Sequence, residues 1–201
     1  MTKQPGLTKA QQREATTQSL ITISREMFTA NGFANTALED IVQKAGVTRG
    51  ALYHHFGSKE GLFKAVLETV QADVAHQIDI AAQAQDSLWE QLIAGCHAFL
   101  EASTDLTIQR ILLVDAPAVL GWEAWRETDA QYSGQLLQNI LSQLQEQGFI
   151  KPLPVPALTH LLSGGMNELA IWIAQTSNPK SALGDARLAL GEVLNSLKQV
   201  G

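Results

Sequence analysis

Apolar residues recur at intervals of three and four along most of the chain, and no segment alternates with the two-residue period of a strand. Leu20, Ile23 and Met27, with Ile21 and Phe28 beside them, form the first helical stripe, and Asn31-Gly32 supplies a left-handed stop. Leu38, Ile41, Val42 and Ala45 repeat the spacing over barely two turns. Thr36-Ala-Leu-Glu39 opens that short helix as a capping box, in which each side chain satisfies the free N–H at the other end. Gly46 ends it where the backbone needs positive φ, and Val47-Thr48 makes a turn with Thr48 as the next N-cap. A third helix runs to about Phe56. Ser58 then caps a longer one through Leu62, Phe63, Val66, Leu67 and Val70.

The remainder is also helical, with breaks. Asp86-Ser87 starts a segment through Leu88, Leu92, Phe99 and Leu100, and another runs from about Thr104 to Asp115, before Pro117. Gly121 to Gln147 reads as one long helix ended by Gly148. Lys151 to Pro156 is a stiff connector, Leu158 to Thr176 is strongly apolar around Gly164-Gly165, and Asn178-Pro179 precedes a last helix through Leu183, Leu190, Val193, Leu194 and Leu197. The pattern predicts an all-α chain. Near its start, two short helices joined by a glycine turn, with a longer helix before them, have the order of a helix-turn-helix DNA reader. An ordinary C-cap between two helices would carry the same glycine.

Composition narrows this picture. The chain has 201 residues, 45% hydrophobic and 17% charged, as in globular domains, and no apolar run nears the roughly 18 residues of a membrane span. The segment MTKQPGLTKAQQREATTQ lacks the apolar core of a signal peptide, and the lone Cys96 excludes an internal disulfide; both predict a cytoplasmic protein. The net charge of −6 argues against nucleic acid until its distribution is followed. Up to Lys64 there are 8 basic and 5 acidic residues, a balance of +3; the rest holds 6 against 15, a balance of −9. The basic end is the candidate for a polyanion.

The stretch VTRGALYHHFGSK, Val47 to Lys59, carries the most chemistry. On a helix, Leu52 and Phe56 share a core-facing side with Val47, while Thr48, Arg49, Gly50 and Tyr53 lie opposite. Arg49 has the fork to read guanine, and Gly50 lets the backbone approach a base edge. Tyr53, His54, His55 and Lys59 could reach phosphate oxygens, aided by the helix N-terminus at Ser58-Lys59. His54 and His55 are adjacent and so diverge by about 100° on a helix; they cannot chelate together as an i, i+4 pair would. A catalytic role lacks a nucleophile and an orienting acid. No metal, cofactor or catalytic site is expected.

Thr36 to Phe63, TALEDIVQKAGVTRGALYHHFGSKEGLF, resembles the DNA-binding signature of the TetR family of bacterial transcriptional regulators. The resemblance rests on a capped short helix, the Ala-Gly-Val turn, Gly-x-Leu-Tyr-x-His-Phe, Ser-Lys-Glu and Leu-Phe. It implies an N-terminal three-helix DNA-binding domain, residues 1–60, joined to a larger helical domain, 61–201, for effector binding and dimerisation. It further implies a homodimeric regulator, read as a repressor, on a palindromic double-stranded operator. By position, Thr48, Arg49 and Gly50 match the base-reading segment, Tyr53, His55 and Lys59 the phosphate and groove contacts, and Thr36 a backbone-clamping cap. His54 stands where another aromatic is commoner. Leu112 to Tyr132 also resembles a segment in a subgroup of the family.

The resemblance implies an effector pocket among the middle helices and a dimer built from the last two. Candidate pocket residues are Trp89, Phe99, Trp122, Trp125 and Tyr132, with His97, Arg110, Asp115, Asn167 and Glu168 as polar anchors for a small organic molecule; for each, ordinary core or solvated face is the competing reading. Cys96 beside His97 points away from it on a helix, as adjacent residues do. An enzyme would need a nucleophile, base and acid set that is missing here, and a ligand carrier with a relic DNA domain is opposed by Arg49, Tyr53, His55 and Lys59.

Overall fold

The computed structural model describes residues 8–199. It is helical throughout these residues, with one isolated antiparallel bridge, Ile150 to Lys198, and no β-strand among them. The chain clusters into two compact units that divide between Glu68 and Thr69. No helix among the described residues is long and apolar enough to cross a membrane.

The N-terminal unit holds α1 (Lys9–Asn31), α2 (Leu38–Ala45), α3 (Arg49–Phe56) and the start of α4 (Lys59–Gln83). Thr8 and Gln11 cap α1 reciprocally, and Gly32, at φ 78°, ends it. Its inward stripe is Leu20, Ile21, Ser24 and Phe28; Ile23 and Met27 are only half-buried, because the strict four-residue row faces the core. Phe28, Phe33 and Phe63 meet with ring centroids 5.1–5.7 Å apart, and Ile41, Leu52 and Leu62 complete a fully buried centre.

The expected capping box at Thr36 does not form. Ala37 occupies the N-cap of α2 and makes no side-chain cap. Thr36 is buried instead, its Oγ1 donating to the carbonyls of Gly32 at 2.8 Å and Met27 at 3.3 Å. The Thr36 hydroxyl, once buried, must find an acceptor inside the protein, and the carbonyls around the end of α1 supply it in place of a cap on α2. Gly46 adopts the left-handed conformation, φ 65° and ψ 28°, as the turn requires. Thr48 caps α3 by accepting from Ala51 N at 3.2 Å, and Ser58 caps α4 by accepting from Gly61 N at 3.0 Å.

The C-terminal unit comprises the rest of α4, then α5 (Leu88–Ala102), α6 (Ala116–Leu120), α7 (Trp122–Asp129), α8 (Gln135–Glu146), α9 (Val155–Gln175) and α10 (Pro179–Asn195). Pro117 does not end the preceding helix. Residues Ile108–Asp115 wind as a π-helix, whose wide turns let Ala116 N donate to Ile111 O and leave room for a ring that a tight α-turn would reject. The path therefore runs on to Leu120. The long helix expected from Gly121 to Gln147 is interrupted by a second π-helical stretch, Ala130–Gly134, between α7 and α8. The connector after Lys151 is shorter than expected, because Pro156 sits in the first turn of α9, where a missing N–H costs nothing. α5 packs against α8, α9 and α10, and α9 against α8 and α10.

Gly61 fixes the corner where α3 gives way to α4: a Cβ there would collide with the Phe56 carbonyl oxygen. Gly61→Ala should therefore destabilise the protein by about 1–3 kcal/mol, the usual cost of overpacking. Urea unfolding measures this directly, and an unchanged midpoint would show that the corner has slack.

Candidate functional site

The second turn element, α3, is short, and burying Leu52 completely forces its other side outward. Thr48, Arg49, Gly50, Tyr53 and His54 are all exposed there. Arg49 does not swing freely. Its Nη1 donates to Glu39 Oε1 on α2 at 2.6 Å, and its Nη2 to the Tyr53 hydroxyl at 3.2 Å. The guanidinium also lies 5.5 Å from the Tyr53 ring centroid. Most of its five N–H donors remain uncommitted in this arrangement. A Cβ on Gly50 would meet nothing closer than Thr48 Oγ1 at 3.9 Å, so the backbone is open to approach there.

His55 and Lys59 are tied to the protein. His55 Nδ1 lies 3.0 Å from Thr17 Oγ1 on α1, and the Thr17 hydroxyl already donates to Arg13 O at 3.0 Å. Nδ1 is therefore the protonated nitrogen, and neutral His55 turns an acceptor, Nε2, away from Thr17. Burial, then the charges of Arg13 and His54, hold its pKa below the ordinary value. Lys59 Nζ donates to Phe33 O at 2.5 Å and stands 4.2 Å from that ring's centroid, committing one of its three N–H groups to the loop after α1. Thr36, being buried, serves that same loop.

In the C-terminal unit a cavity of about 240 Å³ lies between α4, α5, α8 and α9. Leu92, Phe99, Leu137, Ile140 and Met166 give it an apolar wall; Ser133, Ser163, Asn139, Gln143 and Asp79 contribute polar atoms. Gly95 packs where a Cβ would come 3.3 Å from Ile78, so α4 and α5 approach closely at its edge. Cys96 also lines it; burial pushes this thiol up to about 12, which leaves it an unreactive neutral group.

Of the pocket residues predicted from sequence, only Phe99 lines this cavity. Trp125 is wholly buried and Trp122 exposed, their rings 4.8 Å apart. Trp89 carries Lys198 Nζ 4.3 Å from its centroid. Arg110 and Asp115 pair with each other at 3.3 Å within the first π-helix. His97 faces Arg187 on α10, with burial and then that charge lowering its pKa, and Glu168 is exposed. Tyr132 is half-buried on the second π-helix, next in sequence to the cavity-lining Ser133. Asn167 belongs to a buried polar cluster in which Asp129 Oδ2 accepts from Arg126 Nη1 at 3.1 Å, Ser163 Oγ at 3.2 Å and Asn167 Nδ2 at 3.2 Å. Burial raises the Asp129 pKa, and the Asn167 bond, Arg126 charge and Ser163 bond oppose it.

The outer side of α9 and α10 is apolar and open. Leu161, Trp172, Leu188 and Val193 are exposed, and a Cβ on Gly164, Gly165, Gly184 or Gly191 would touch nothing.

Comparison with known proteins gives this geometry a lineage. Residues 20–66 match the family described as bacterial regulatory proteins, tetR family, and residues 89–197 match the tetracyclin repressor-like C-terminal domain. A crystal structure of a TetR-family transcriptional regulator from Pectobacterium atrosepticum is 33% identical with a TM-score of 0.82, over 96% of this chain and 99% of that one. The chain belongs to the TetR family. The transposon Tn10 TetC protein of Escherichia coli is 26% identical over 162 residues, 79% of this chain and 80% of its own. RolR, solved in complex with resorcinol, shares the fold at 19% identity and a TM-score of 0.73, over 94% of this chain and 90% of that one. The family is one of transcriptional regulators and not of enzymes.

Sequence reasoning missed two features of this TetR-family chain. Glu39 was assigned to a cap, and its pairing with Arg49 joins residues on different helices that no local pattern connects. Ser133 was missed because the π-helix shifts the phase of the chain, so that a 3.6-residue count no longer tells which side faces inward. Gly95, a small residue in an apolar helix, was the one available hint of a close approach.

His55 makes the N-terminal unit sensitive to acid. Its pKa is depressed on folding, so the unfolded chain binds the extra proton first and stability is lost as pH falls through the ordinary value near 6.5 toward the lowered one. Unfolding midpoints measured from pH 7.5 to 5.5 should fall, and His55→Gln should flatten that fall; an equal slope in the variant would remove His55 as a cause.

Proposed function

We propose that the protein represses transcription as a homodimer on a near-palindromic operator and that a small molecule in its C-terminal unit releases it. The observation that carries the DNA half is the joint exposure of Thr48, Arg49, Gly50 and Tyr53 on a helix whose Leu52 is completely buried. Such a helix end enters a major groove, where Arg49 donates in bidentate fashion to guanine and Tyr53 supports it. His54 and Lys59 contact phosphate. His55 joins them when protonated, since its neutral form offers an acceptor. Thr36 contributes by fixing the loop from which α2 starts. Residues 1–60 are read as the DNA-binding domain and 61–201 as the effector and dimerisation domain, with α4 carrying residues of both.

Dimerisation through α9 and α10 is supported by their exposed leucines, Trp172 and open glycines, which permit close helix approach. Two such units place recognition helices in successive major grooves, about one helical turn apart. That RolR, a protein of the same fold, was solved with resorcinol supports a small organic effector. The effector acts by preferring a dimer whose recognition helices are mis-spaced; each tenfold loss of operator affinity requires about 1.4 kcal/mol of preference. A bacterial repressor works at the chromosome, hence in the cytoplasm.

Selection of bound duplexes from a random pool, followed by titration at two salt concentrations, tests the reading. A palindromic consensus bound by a dimer is expected, whereas no enrichment at either salt would favour a ligand carrier. Arg49→Ala should cost on the order of 1–3 kcal/mol and relax preference at one base pair per half-site; equal weakening on all sequences would contradict base reading. Lys59→Ala should weaken all duplexes alike, lower the salt slope by about 0.9 per phosphate lost and, through the Phe33 carbonyl, reduce stability by about 1 kcal/mol. A full salt slope in that variant would confine Lys59 to its structural role.

A further inference from the structure

We infer that Glu39 sets sequence specificity by acting through Arg49: it fixes the guanidinium for a base edge and cancels its charge toward all other duplexes. This rests on the base-reading role proposed for Arg49 and adds to it a positioning residue from a different helix.

A carboxylate on a surface proposed for DNA needs a reason, because it repels every phosphate that comes near. Glu39 on α2 and Arg49 on α3 are both well exposed, with side-chain exposures of 62% and 58%. Their contact of 2.6 Å is short, as charge-assisted bonds are. The dipole of α2 does not account for it. Glu39 and Asp40 both stand in the first turn, so Asp40 already gives that helix end an acid, while the ion pair with Arg49 belongs to Glu39. An exposed pair of this kind adds little to stability. Its effect falls on the arginine.

Arg49 is gripped from two helices. Nη1 donates to Glu39 Oε1 on α2, Nη2 donates to the Tyr53 hydroxyl on α3 at 3.2 Å, and the guanidinium stands 5.5 Å from the Tyr53 ring centroid. Tyr53 alone, four residues along the same helix, leaves the guanidinium free to pivot. Glu39 adds a second point from outside that helix and stops the pivot. Two of the five N–H donors are engaged in this way, and a bidentate contact with guanine needs two of those that remain. Rotamer freedom given up before binding is not lost again on binding, so the guanine contact is strengthened selectively. Charge works in the other direction. A free arginine tightens binding to any sequence through phosphates, whereas one paired with a carboxylate brings no net charge. The pair therefore weakens binding to random duplex more than binding to an operator that offers the guanine.

The test is the affinity of the full chain for its selected duplex, for that duplex with the guanine replaced, and for a random duplex, each at two salt concentrations. Glu39→Gln keeps an amide oxygen for Nη1 and loses the charge. It should bind random duplex several-fold more tightly, by a margin that shrinks as salt rises, and keep most of the guanine preference. Glu39→Ala should show the same gain on random duplex and lose about tenfold of the guanine preference. In an Arg49→Ala background, Glu39→Ala should change base preference no further. Urea midpoints of both Glu39 variants should match the unsubstituted chain, which separates these effects from damage to the fold. An intact guanine preference in Glu39→Ala, random-duplex affinity that does not rise, or a further loss of preference in the Arg49→Ala background would each overturn the inference; the last would make Glu39 a base reader in its own right. If no duplex is selected, or if Arg49→Ala alone leaves the preference intact, the base-reading proposal itself fails and takes the role of Glu39 with it.

Discussion

The meeting of Phe28, Phe33 and Phe63, edge-to-face wherever Phe63 takes part, holds together the surface to which DNA recognition is assigned above. These rings come from the end of α1, the loop after it and the first turns of α4, so the three strands of chain that surround α3 are fixed by one apolar contact. Lys59 adds its cation to the Phe33 ring and its N–H to the Phe33 carbonyl, which anchors the same loop from the outside. Thr36 closes it from the inside. With its surroundings packed, α3 needs only Leu52 in the core to present a fixed outer side, and eight residues suffice for a helix too short to be stable alone.

The C-terminal unit is organised by a different constraint. Asp129 is 2% exposed, and a buried carboxylate is tolerable only when its lone pairs are filled. Arg126, Ser163 and Asn167 all donate to its Oδ2, tying α7 to α9. The π-helical stretch follows immediately, so the backbone that positions the carboxylate also turns Ser133 to the cavity. Ser163 belongs to both arrangements. α9 carries that hydroxyl, bonded to Asp129 and Arg126, and beside it the open Gly164-Gly165 surface.

Polar groups in this molecule are used twice wherever function is proposed. Arg49 is held by Glu39 and Tyr53, which lowers the entropy its long side chain would lose in the proposed base contact. His55 is bonded to Thr17 through Nδ1, and burial with the Arg13 and His54 charges lowers its pKa. Such commitments make the surface ordered in advance, and they mean that removing one of these side chains changes the fold's energetics as well as the contact.

The sequence by itself determined the helices, their order and the family: capping residues, Gly46 and three- and four-residue stripes act locally, within one or two turns, and leave their mark in the string. The turn at Gly46, the cap at Thr48 and the inward Leu52 were all legible for that reason. Tertiary structure alone decided where the cavity lies, that Thr36 faces inward to stray carbonyls, that Glu39 pairs with Arg49, and that Pro117 is absorbed by wide turns. Each of these joins residues far apart in the chain or depends on a helix departing from 3.6 residues per turn. Periodicity reports which side of a regular helix is apolar; it carries no information about which helices meet, and it fails once the helix itself changes pitch.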